Sequence, residues 1–351
     1  MKGIWWKGLG VLLMLYVIIV GFLMPLRPGI TTAFPQNIKS GETSVITAST
    51  YNARLETLSA SDLRAWLVRD TTYILQAQSV KISGDQSVDV TFDVPENLPV
   101  DEEVLDFSLV LDAPEMGSIV LPYSIFIAKK GSDLSSGMTA WTSDSLGKLN
   151  KHKGLAIPFR NLLFETLRNT YFHVSLWFSM FILFLISVIY SIKFLRKREP
   201  YFDNVASSLV EVGTLFGILG LATGALWAKN TWGTYWTTDV KLNMAAVSMM
   251  IYAAYLVLRS SIKDGDKKAI ISSSYNIFAF FIIVPLIFVI PRLTDSLHPG
   301  NGGNPGFGGE DMDNTMRMVF YPAIIAFTLI GLWMSNLMIR YKKLRNRIDE
   351  I

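Results

Sequence analysis

Six apolar segments constrain the fold of this 351-residue chain more than any other feature. A helix needs about 20 mostly apolar residues to cross a bilayer core about 30 Å thick. Only 17% of the residues are charged, whereas an ordinary soluble protein carries about 25%. The segments cover residues 8–24, 173–194, 205–227, 242–258, 269–290 and 319–339. We therefore predict a polytopic α-helical membrane protein with six transmembrane helices.

The distribution of Lys and Arg predicts how these helices are oriented. Cytoplasmic loops of membrane proteins are enriched in Lys and Arg, and the flanks of these segments alternate between strongly and weakly basic. Both termini are therefore expected in the cytoplasm, with segment 26–172 and the loops near Trp232 and His298 outside. Segment 1–25 could be a cleavable signal peptide, but it is long for one and lacks an A-x-A-like cleavage site, so it is interpreted as a retained transmembrane anchor.

The large outer segment has the pattern of β-strands. Apolar and polar residues alternate over several short stretches, as in half-buried strands. These stretches are 44–51, 73–82, 87–94, 105–111 and 118–127. They predict a β-sandwich-like domain of about one hundred residues within 26–153. The last part of this range, 131–153, is rich in Ser, Gly and Lys and is interpreted as a linker. The other expected regions are an outer linker at 154–172, a five-helix membrane domain at 173–345 and a cytoplasmic tail at 346–351.

The absence of cysteine excludes several kinds of site. The chain cannot form a disulfide, a thiolate-held zinc or iron–sulfur site, or a covalent C-x-x-C-H haem attachment. The G-x-x-x-x-G-K-[ST], G-x-S-x-G and H-E-x-x-H motifs are also missing, so we predict neither an ATPase nor a hydrolase. A net charge of +3 gives no reason to expect a nucleic-acid partner.

Aromatic residues are densest where the third apolar segment ends. Trp227, Trp232, Tyr235 and Trp236 lie close together in sequence, and Gly233 permits a turn among them. Two interpretations remain open. The residues could form an interfacial aromatic belt, which is common at membrane surfaces, or a binding surface for a flat aromatic ligand.

Two of the three histidines are expected on the same outer face as these aromatic residues. His173 opens the second helix, and His298 follows the fifth. Two neutral imidazoles from separate loops could ligate one iron from opposite sides. Taken singly, each could instead be an interfacial histidine bonded to the backbone. His152 lies between two lysines and is interpreted as a solvated residue.

The tryptophan-rich segment resembles that of a known protein family. The resemblance rests on Trp232-Gly233-Thr234-Tyr235-Trp236-x-x-Asp239-x-Lys241-Leu242, together with residues 223–227 and 168–174. These residues are similar to the WWD-type haem-handling family of cytochrome c maturation, and most similar to the six-helix C component of bacterial System I. The resemblance covers roughly residues 166–345.

This resemblance implies a haem-binding and transfer platform at the outer face of the bacterial cytoplasmic membrane, and not an enzyme. The implied cofactor is non-covalent haem b. The implied partners are a periplasmic haem chaperone and other cytochrome c maturation subunits, including a separate ATPase. By position, the iron ligands carry over to His173 and His298. The haem-binding residues carry over to Trp227, Trp232, Gly233, Tyr235, Trp236 and Asp239.

Nearby charged residues are candidates for contacts with haem or with the membrane surface. Lys229, Lys241 and Arg292 are candidates to pair with haem propionates, although each could equally be an interfacial snorkelling residue. Asp239 cannot favourably pair with a propionate, and we expect it to orient Lys241 or the neighbouring backbone.

The chain departs from the family pattern in three ways. Thr238 replaces the tryptophan that normally precedes Asp239, Lys241 replaces a frequent Arg, and the β-rich domain has no counterpart in compact members. Two other functions stay open: the permease subunit of an ATPase-linked haem exporter, and a membrane-anchored adhesion or interaction protein. An exporter needs polar residues at membrane depth. The chain offers mainly Asn276 and Glu211 there, and the Glu211 side chain is expected to snorkel to the membrane surface.

Two glycine-rich patterns have simpler interpretations. Gly213, Gly217, Gly220 and Gly224 have the small-xxx-small type of spacing that allows close helix packing. Segment 299–309 cannot hold regular structure and is interpreted as a flexible connector or, alternatively, as a lid.

Overall fold

The computed structural model describes residues 3–98, 102–130, 141, 146, 148–161, 163–298 and 312–349. The chain divides into two units. A membrane unit comprises Met1–Met24 and Glu165–Ile351, and a β-rich unit comprises Pro25–Phe164.

Six helices of the membrane unit are long and apolar enough to cross a bilayer, which confirms the predicted number among the described residues. The helices are α1 (Trp5–Leu23), α2 (Asn169–Lys197), α3 (Pro200–Trp232), α4 (Val240–Ser261), α5 (Gly265–Phe288) and α6 (Asn314–Asp349). Helix α6 continues to Asp349, so part of the expected tail at 346–351 is helical.

Local sequence signals explain where several helices begin and end. Pro200 occupies the first turn of α3, where its missing N–H costs nothing. Gly233 ends α3 with a φ of 79°, a left-handed conformation that glycine adopts without strain. Asp239 and Asp264 begin α4 and α5 by accepting hydrogen bonds from backbone N–H groups of the first turn.

Glycines on α3 bring α2 close to it. A Cβ atom at Gly213 would lie 2.5 Å from the Phe184 ring, and a Cβ atom at Gly220 would lie 2.9 Å from Trp177 Nε1. Larger residues would therefore push the two helices apart. This packing agrees with the spacing of small residues in the sequence.

The two ends of the membrane unit differ in chemistry. At one end α1, α3 and α5 begin and α2, α4 and α6 end, and we call it the basic end. Its cations include Lys7, Lys193, Arg196, Lys197, Arg198, Arg259, Lys263, Lys267, Lys268, Arg340, Lys342 and Lys343. The opposite end carries His173 and His298 and is called the histidine end.

Two pairs of ionisable residues connect helices near the basic end. Asp203 of α3 and Arg259 of α4 form two hydrogen bonds of 2.6 and 2.8 Å. Glu211 of α3 lies 2.7 Å from Lys342 Nζ of α6. The snorkelling expected of Glu211 is therefore replaced by an ion pair, because α6 packs a lysine beside it.

Asn276 is a packing residue and is fully buried. Its side-chain amide donates hydrogen bonds to Ser187 Oγ at 2.7 Å and to Ser191 Oγ at 3.0 Å. Such bonds connect helices in a membrane. A path for haem through the helices would use the polar groups of Asn276 and Glu211. Both groups are instead engaged in contacts between helices.

The β-rich unit is a sandwich of two sheets, as predicted. The strand orders are β1-β3-β7-β6 and β2-β9-β8-β4-β5. Apolar residues from both sheets form one core between them. The strands are β1 (Gly29–Phe34), β2 (Asn37–Lys39), β3 (Thr43–Tyr51), β4 (Arg64–Val68), β5 (Ile74–Gln76), β6 (Ser79–Gly84), β7 (Ser87–Asp93), β8 (Val104–Ala113) and β9 (Gly117–Ala128).

The prediction of a single strand at 73–82 is wrong, because the structure has two strands there, β5 and β6, which belong to different sheets. The switch occurs between adjacent residues. The Ala77 N–H donates to the Ala65 carbonyl of one sheet, and the Gln78 N–H donates to the Thr91 carbonyl of the other. Continuous alternation in the sequence does not reveal such a change of sheet.

The described residues of the expected linker at 131–153 pack on the β-rich unit. Trp141 is fully buried, stacks on Phe107 and donates a 3.0 Å hydrogen bond from Nε1 to the Asn97 carbonyl. Asn150 donates to Asp112 from its backbone and side chain. Most of 131–147 lies outside the described residues.

The region expected as an outer linker at 154–172 is also structured in part. Residues up to Phe164 belong to the β-rich unit, where Ile157 pairs with Leu26, and α2 already begins at Asn169. The glycine-rich segment 299–309, expected as a connector or lid, lies outside the described residues.

We expect the buried pair of Asp203 and Arg259 to be coupled energetically. Asp203→Asn or Arg259→Gln alone should each destabilise the membrane unit by about 3 kcal/mol, because an unpaired charge then stays buried. The double variant should lose less than the sum of the single losses. Thermal unfolding in detergent, followed by circular dichroism, measures these differences. Lys263→Gln, at an exposed lysine of the same end, is the control, and additive losses would contradict the coupling.

Candidate functional site

Five side chains predicted from the sequence lie at the histidine end. His173 is in the first turns of α2, and Trp227 and Trp232 are in the last turns of α3. Asp239 directly precedes α4, and His298 follows the short 3₁₀ helix Ile290–Arg292 after α5. Helices that alternate in direction bring these distant parts of the sequence together.

Asp239 begins α4 and is almost completely buried, with 1% of its side chain exposed. Its Oδ1 accepts hydrogen bonds from the backbone N–H groups of Lys241 at 2.9 Å and Leu242 at 3.4 Å. These bonds satisfy donors that have no partner within the helix. The expectation that Asp239 orients the neighbouring backbone agrees with this geometry.

The same carboxylate holds the loop that carries His298. Asp239 Oδ2 accepts hydrogen bonds of 2.8 Å from both Ser296 Oγ and the Leu297 backbone N–H. Asp239 Oδ1 also lies 2.9 Å from His298 Nδ1. The loop after α5 is therefore attached to the start of α4 through one side chain.

The charges of this pair follow from their surroundings. Burial raises the pKa of Asp239, but hydrogen bonds from Ser296 and Leu297, together with the nearby His298, outweigh burial and leave that pKa below its ordinary value. Burial also lowers the pKa of His298 below its ordinary value, although Asp239 opposes the change. At neutral pH the pair is therefore a carboxylate and a neutral imidazole.

The carboxylate selects the tautomer of His298. An ionised carboxylate can only accept hydrogen bonds, so Nδ1 of His298 carries the proton and donates it to Asp239. The lone pair of the neutral ring is then on Nε2. Orientation of a metal-binding imidazole by a carboxylate is a common arrangement in metalloproteins.

Two tryptophans pack on the His298 ring. The ring centroids of Trp232 and His298 are 4.8 Å apart with the rings edge to face, and those of Trp227 and His298 are 5.6 Å apart. The two indoles also contact each other, with centroids 5.0 Å apart. Together they form an apolar aromatic surface around the imidazole.

His173 is held by α3. Its Nδ1 lies 2.9 Å from the Gly220 carbonyl and 3.1 Å from Thr223 Oγ1. A Cβ atom at Gly224 would lie 2.7 Å from His173 Cε1, so this glycine makes room for the ring. Because a carbonyl only accepts, Nδ1–H donates to Gly220, and Nε2 of the neutral ring keeps the lone pair. The backbone bond also fits the simpler interpretation of an interfacial histidine.

His173 and His298 lie at the same end of the membrane unit and interact electrostatically. His152 is in the β-rich unit, where its Nδ1 lies 3.3 Å from the Met116 carbonyl. Its ring is half-buried and not fully solvated as expected.

Tyr235 and Trp236 occupy a different position from the other two tryptophans. They are 56% and 43% exposed, and among the described residues neither ring stacks on a histidine. Trp236 Nε1 donates to Asn243 Oδ1 at 3.2 Å, and the Asn243 amide donates to the carbonyl of Thr238 at 3.2 Å. The side chain of Thr238 itself is exposed.

The three cations expected near propionates do not all lie together. Lys229 Nζ donates to the Gly233 carbonyl at 2.9 Å and lies over the Tyr235 ring, so it helps to end α3. Lys241 interacts electrostatically with Asp239, Arg292 and His298. Lys241 therefore lies in the cluster around His298, with Arg292 near it.

Several residues of this site were not identified from the sequence. Ser296 shares Asp239 with His298, and Gly220 and Thr223 bind His173. Gly220 was assigned to helix packing alone. Thr223 and Gly224 belong to the segment 223–227 that carries the resemblance, but neither was given a role beside His173. The sequence contains no local signal for Ser296, because its partner is distant along the chain.

Comparison with known proteins agrees with the membrane unit. The family model described as Heme exporter protein C matches residues 157–351, which include α2–α6 and both site histidines. Heme exporter protein C of Bradyrhizobium diazoefficiens is 27% identical over 187 residues, which cover 53% of this chain and 70% of the relative.

Other relatives share shorter regions. The cytochrome c biogenesis protein CcsA of Pelargonium hortorum is 35% identical over 114 residues, covering 32% of this chain and 35% of the relative. A putative ccmC-like mitochondrial protein of Marchantia polymorpha is 33% identical over 93 residues, covering 26% of this chain and 40% of the relative. The chain thus spans about a third of the length of this CcsA relative.

The β-strands precede the matched residues, whereas the histidine end lies within them. The resemblance of the tryptophan-rich segment to haem-handling proteins is therefore confirmed over more than half of the chain. The chain belongs to the Heme exporter protein C (CcmC) family of cytochrome c maturation.

Proposed function

We propose that this protein binds haem b at the histidine end through His173 and His298 and presents it to a haem chaperone for cytochrome c maturation. Membership of the family supports haem handling in general. The observation that carries the specific assignment is the pair of imidazoles whose Nδ1 atoms are both bonded to acceptors. Each ring then directs its lone pair through Nε2.

The composition of the site suits haem better than a bare metal ion. The described residues contain no group of three or more His, Cys, Asp or Glu side chains that could hold an ion. Haem would bring an iron already bound by four porphyrin nitrogens, so two imidazoles would be enough to hold it. His173 and His298 would supply these two ligands.

The aromatic and cationic residues suit the other parts of haem. Trp227 and Trp232 offer apolar surface beside the His298 ring for the porphyrin plane. Lys241 and Arg292 are the favoured propionate partners because Lys241 interacts with the His298 cluster. Lys229 is a weaker candidate because its ammonium is bonded to the Gly233 carbonyl.

Asp239 acts as a positioning residue in this proposal. It holds the loop of His298, selects the Nδ1–H tautomer and increases the basicity of Nε2. It need not touch haem, which removes the difficulty of placing a carboxylate beside propionates.

The orientation of the site follows the distribution of charge. The concentration of Lys and Arg at the basic end favours a cytoplasmic position for that end, which directs the histidine end to the periplasm of a bacterial cell. There Tyr235 and Trp236 are exposed and could contact the chaperone. Because the sequence lacks a nucleotide-binding motif, any ATP-driven step requires a separate subunit.

The helix contacts favour this platform over an exporter path. Asn276 is bonded to Ser187 and Ser191, and Glu211 is paired with Lys342. A path for haem through the helices would have to break these contacts. An adhesion protein would not require the arrangement of histidines and tryptophans at the histidine end.

Removing either iron ligand should reduce bound haem. We expect His173→Ala and His298→Ala each to lower the Soret absorbance of the detergent-purified protein by more than about tenfold, because one axial ligand is lost. Added imidazole should restore part of the band by occupying the vacated position. His152→Ala, in the β-rich unit, is the matched control. Equal haem in all four proteins would contradict the assignment.

Asp239→Asn should weaken binding without removing a ligand. Asparagine can still accept the backbone hydrogen bonds of α4, but it lacks the charge that makes His298 a stronger donor. We expect haem affinity to fall about 10- to 100-fold and the reduction potential of the remaining bound haem to rise. Haem titration and a spectroscopic redox titration measure the two effects. Unchanged affinity and potential would exclude a charge-dependent role.

Haem binding should be lost on acidification. His298 binds iron only when neutral, and its pKa in the free protein lies below the ordinary value, which is about 6.5. Occupancy should therefore persist as the pH falls to about 6.5 and decrease as it passes through this lower pKa. In haem-free Asp239→Asn the pKa of His298 should be lower than in the haem-free wild type, since the carboxylate favours protonation of His298. Soret absorbance measures occupancy, circular dichroism controls for unfolding, and an NMR titration of the haem-free proteins measures the pKa of His298, whose rise in the variant would contradict the pairing.

A further inference from the structure

A groove runs along the outside of the membrane unit beside α1 at the basic end. Its volume is about 390 Å³, and its walls include Ile4, Gly8, Leu12 and Leu15 of α1 and Trp333 of α6. A Cβ atom at Gly8 would meet no atom within 4 Å, so this glycine leaves part of the groove open. Ile4, Leu12 and Leu15 are 61%, 64% and 53% exposed and face away from the helix bundle.

A cation lies among these apolar residues. Lys7 Nζ is 5.4 Å from the Trp333 ring centroid and 5.6 Å from that of Trp6. In the part of the chain that the structure describes, Lys7 forms no ion pair with a carboxylate. Arg340 is exposed and lies two helical turns beyond Trp333, on the same face of α6.

We propose that this groove binds an anionic phospholipid. Its acyl chain lies along Gly8, Leu12 and Leu15, and its phosphate contacts the Lys7 ammonium. The combination of an elongated apolar surface with a cation and indole rings at its end matches a phospholipid, which has an acyl chain and a negatively charged headgroup. The remaining cations of the basic end favour the same leaflet for anionic lipid.

The lipid would connect the beginning of α1 to α6. Further along α1, protein hydrogen bonds already hold the helix: Tyr16 donates to the Met318 carbonyl at 3.1 Å, and Arg168 donates to the carbonyls of Gly21 and Met24 at 2.7 and 2.8 Å. The groove lies at the opposite end of α1 from Arg168. A phosphate on Lys7 adds a polar contact there. This site does not depend on haem binding at the histidine end.

Native mass spectrometry of the full chain, released from nanodiscs containing equal phosphatidylglycerol and phosphatidylcholine, tests the proposal. The wild-type protein should retain phosphatidylglycerol preferentially. Lys7→Gln should lower the retention of phosphatidylglycerol about fivefold and leave the retention of phosphatidylcholine unchanged. Lys7→Arg should retain phosphatidylglycerol. Gly8→Leu should reduce retention of both lipids by filling the groove. Lys263→Gln, at the same end, should behave as wild type.

Three results would overturn the proposal. Equal retention of the two lipids by wild type would exclude selection of the anionic headgroup. An unchanged ratio in Lys7→Gln would exclude the phosphate contact and leave the groove to a transmembrane helix of a partner. An equal loss in Lys263→Gln would indicate diffuse attraction to the basic end. Gel filtration checks that each variant remains folded, and Lys7→Arg distinguishes loss of charge from loss of structure.

Discussion

One buried carboxylate connects the parts of the histidine end. Asp239 begins α4, bonds the loop after α5 through Ser296 and Leu297, and sets the tautomer of His298. A carboxylate has two oxygens and several acceptor positions, so one side chain can satisfy donors from two distant segments. An amide or hydroxyl could cap the helix, but neither would hold the imidazole with a full negative charge.

The membrane unit separates two kinds of polar chemistry. Near the basic end, Asp203 with Arg259 and Glu211 with Lys342 are paired between helices, because isolated charges are costly in a membrane. At the histidine end, the polar groups surround two imidazoles. The intervening packing relies on small residues of α3, such as Gly213, against large side chains of α2. Charged pairs thus support the helix bundle, and the proposed ligand site occupies its opposite end.

The β-rich unit shows where alternation in a sequence is sufficient and where it fails. Segment 87–94 was predicted as one strand, and β7 covers nearly the same residues because its apolar side faces the core. Segment 73–82 alternates as well, yet its backbone changes sheets between Ala77 and Gln78. Trp141, in a segment expected to be a linker, fills the core against Phe107. A lone tryptophan in a polar stretch was the available signal for that contact.

The sequence by itself determined six membrane-spanning helices, a β-sandwich and two histidines expected on one face, because hydrophobic length, alternation and charge distribution are local properties of a chain. Only the tertiary structure decided the partners of those histidines. Gly220 and Asp239 are 47 and 59 residues from His173 and His298. It also placed Trp227 and Trp232 beside His298 and left Trp236 exposed, although all three belong to the same aromatic segment. Such contacts depend on how helices pack and on where α3 ends at Gly233, and these are set by residues distant in sequence.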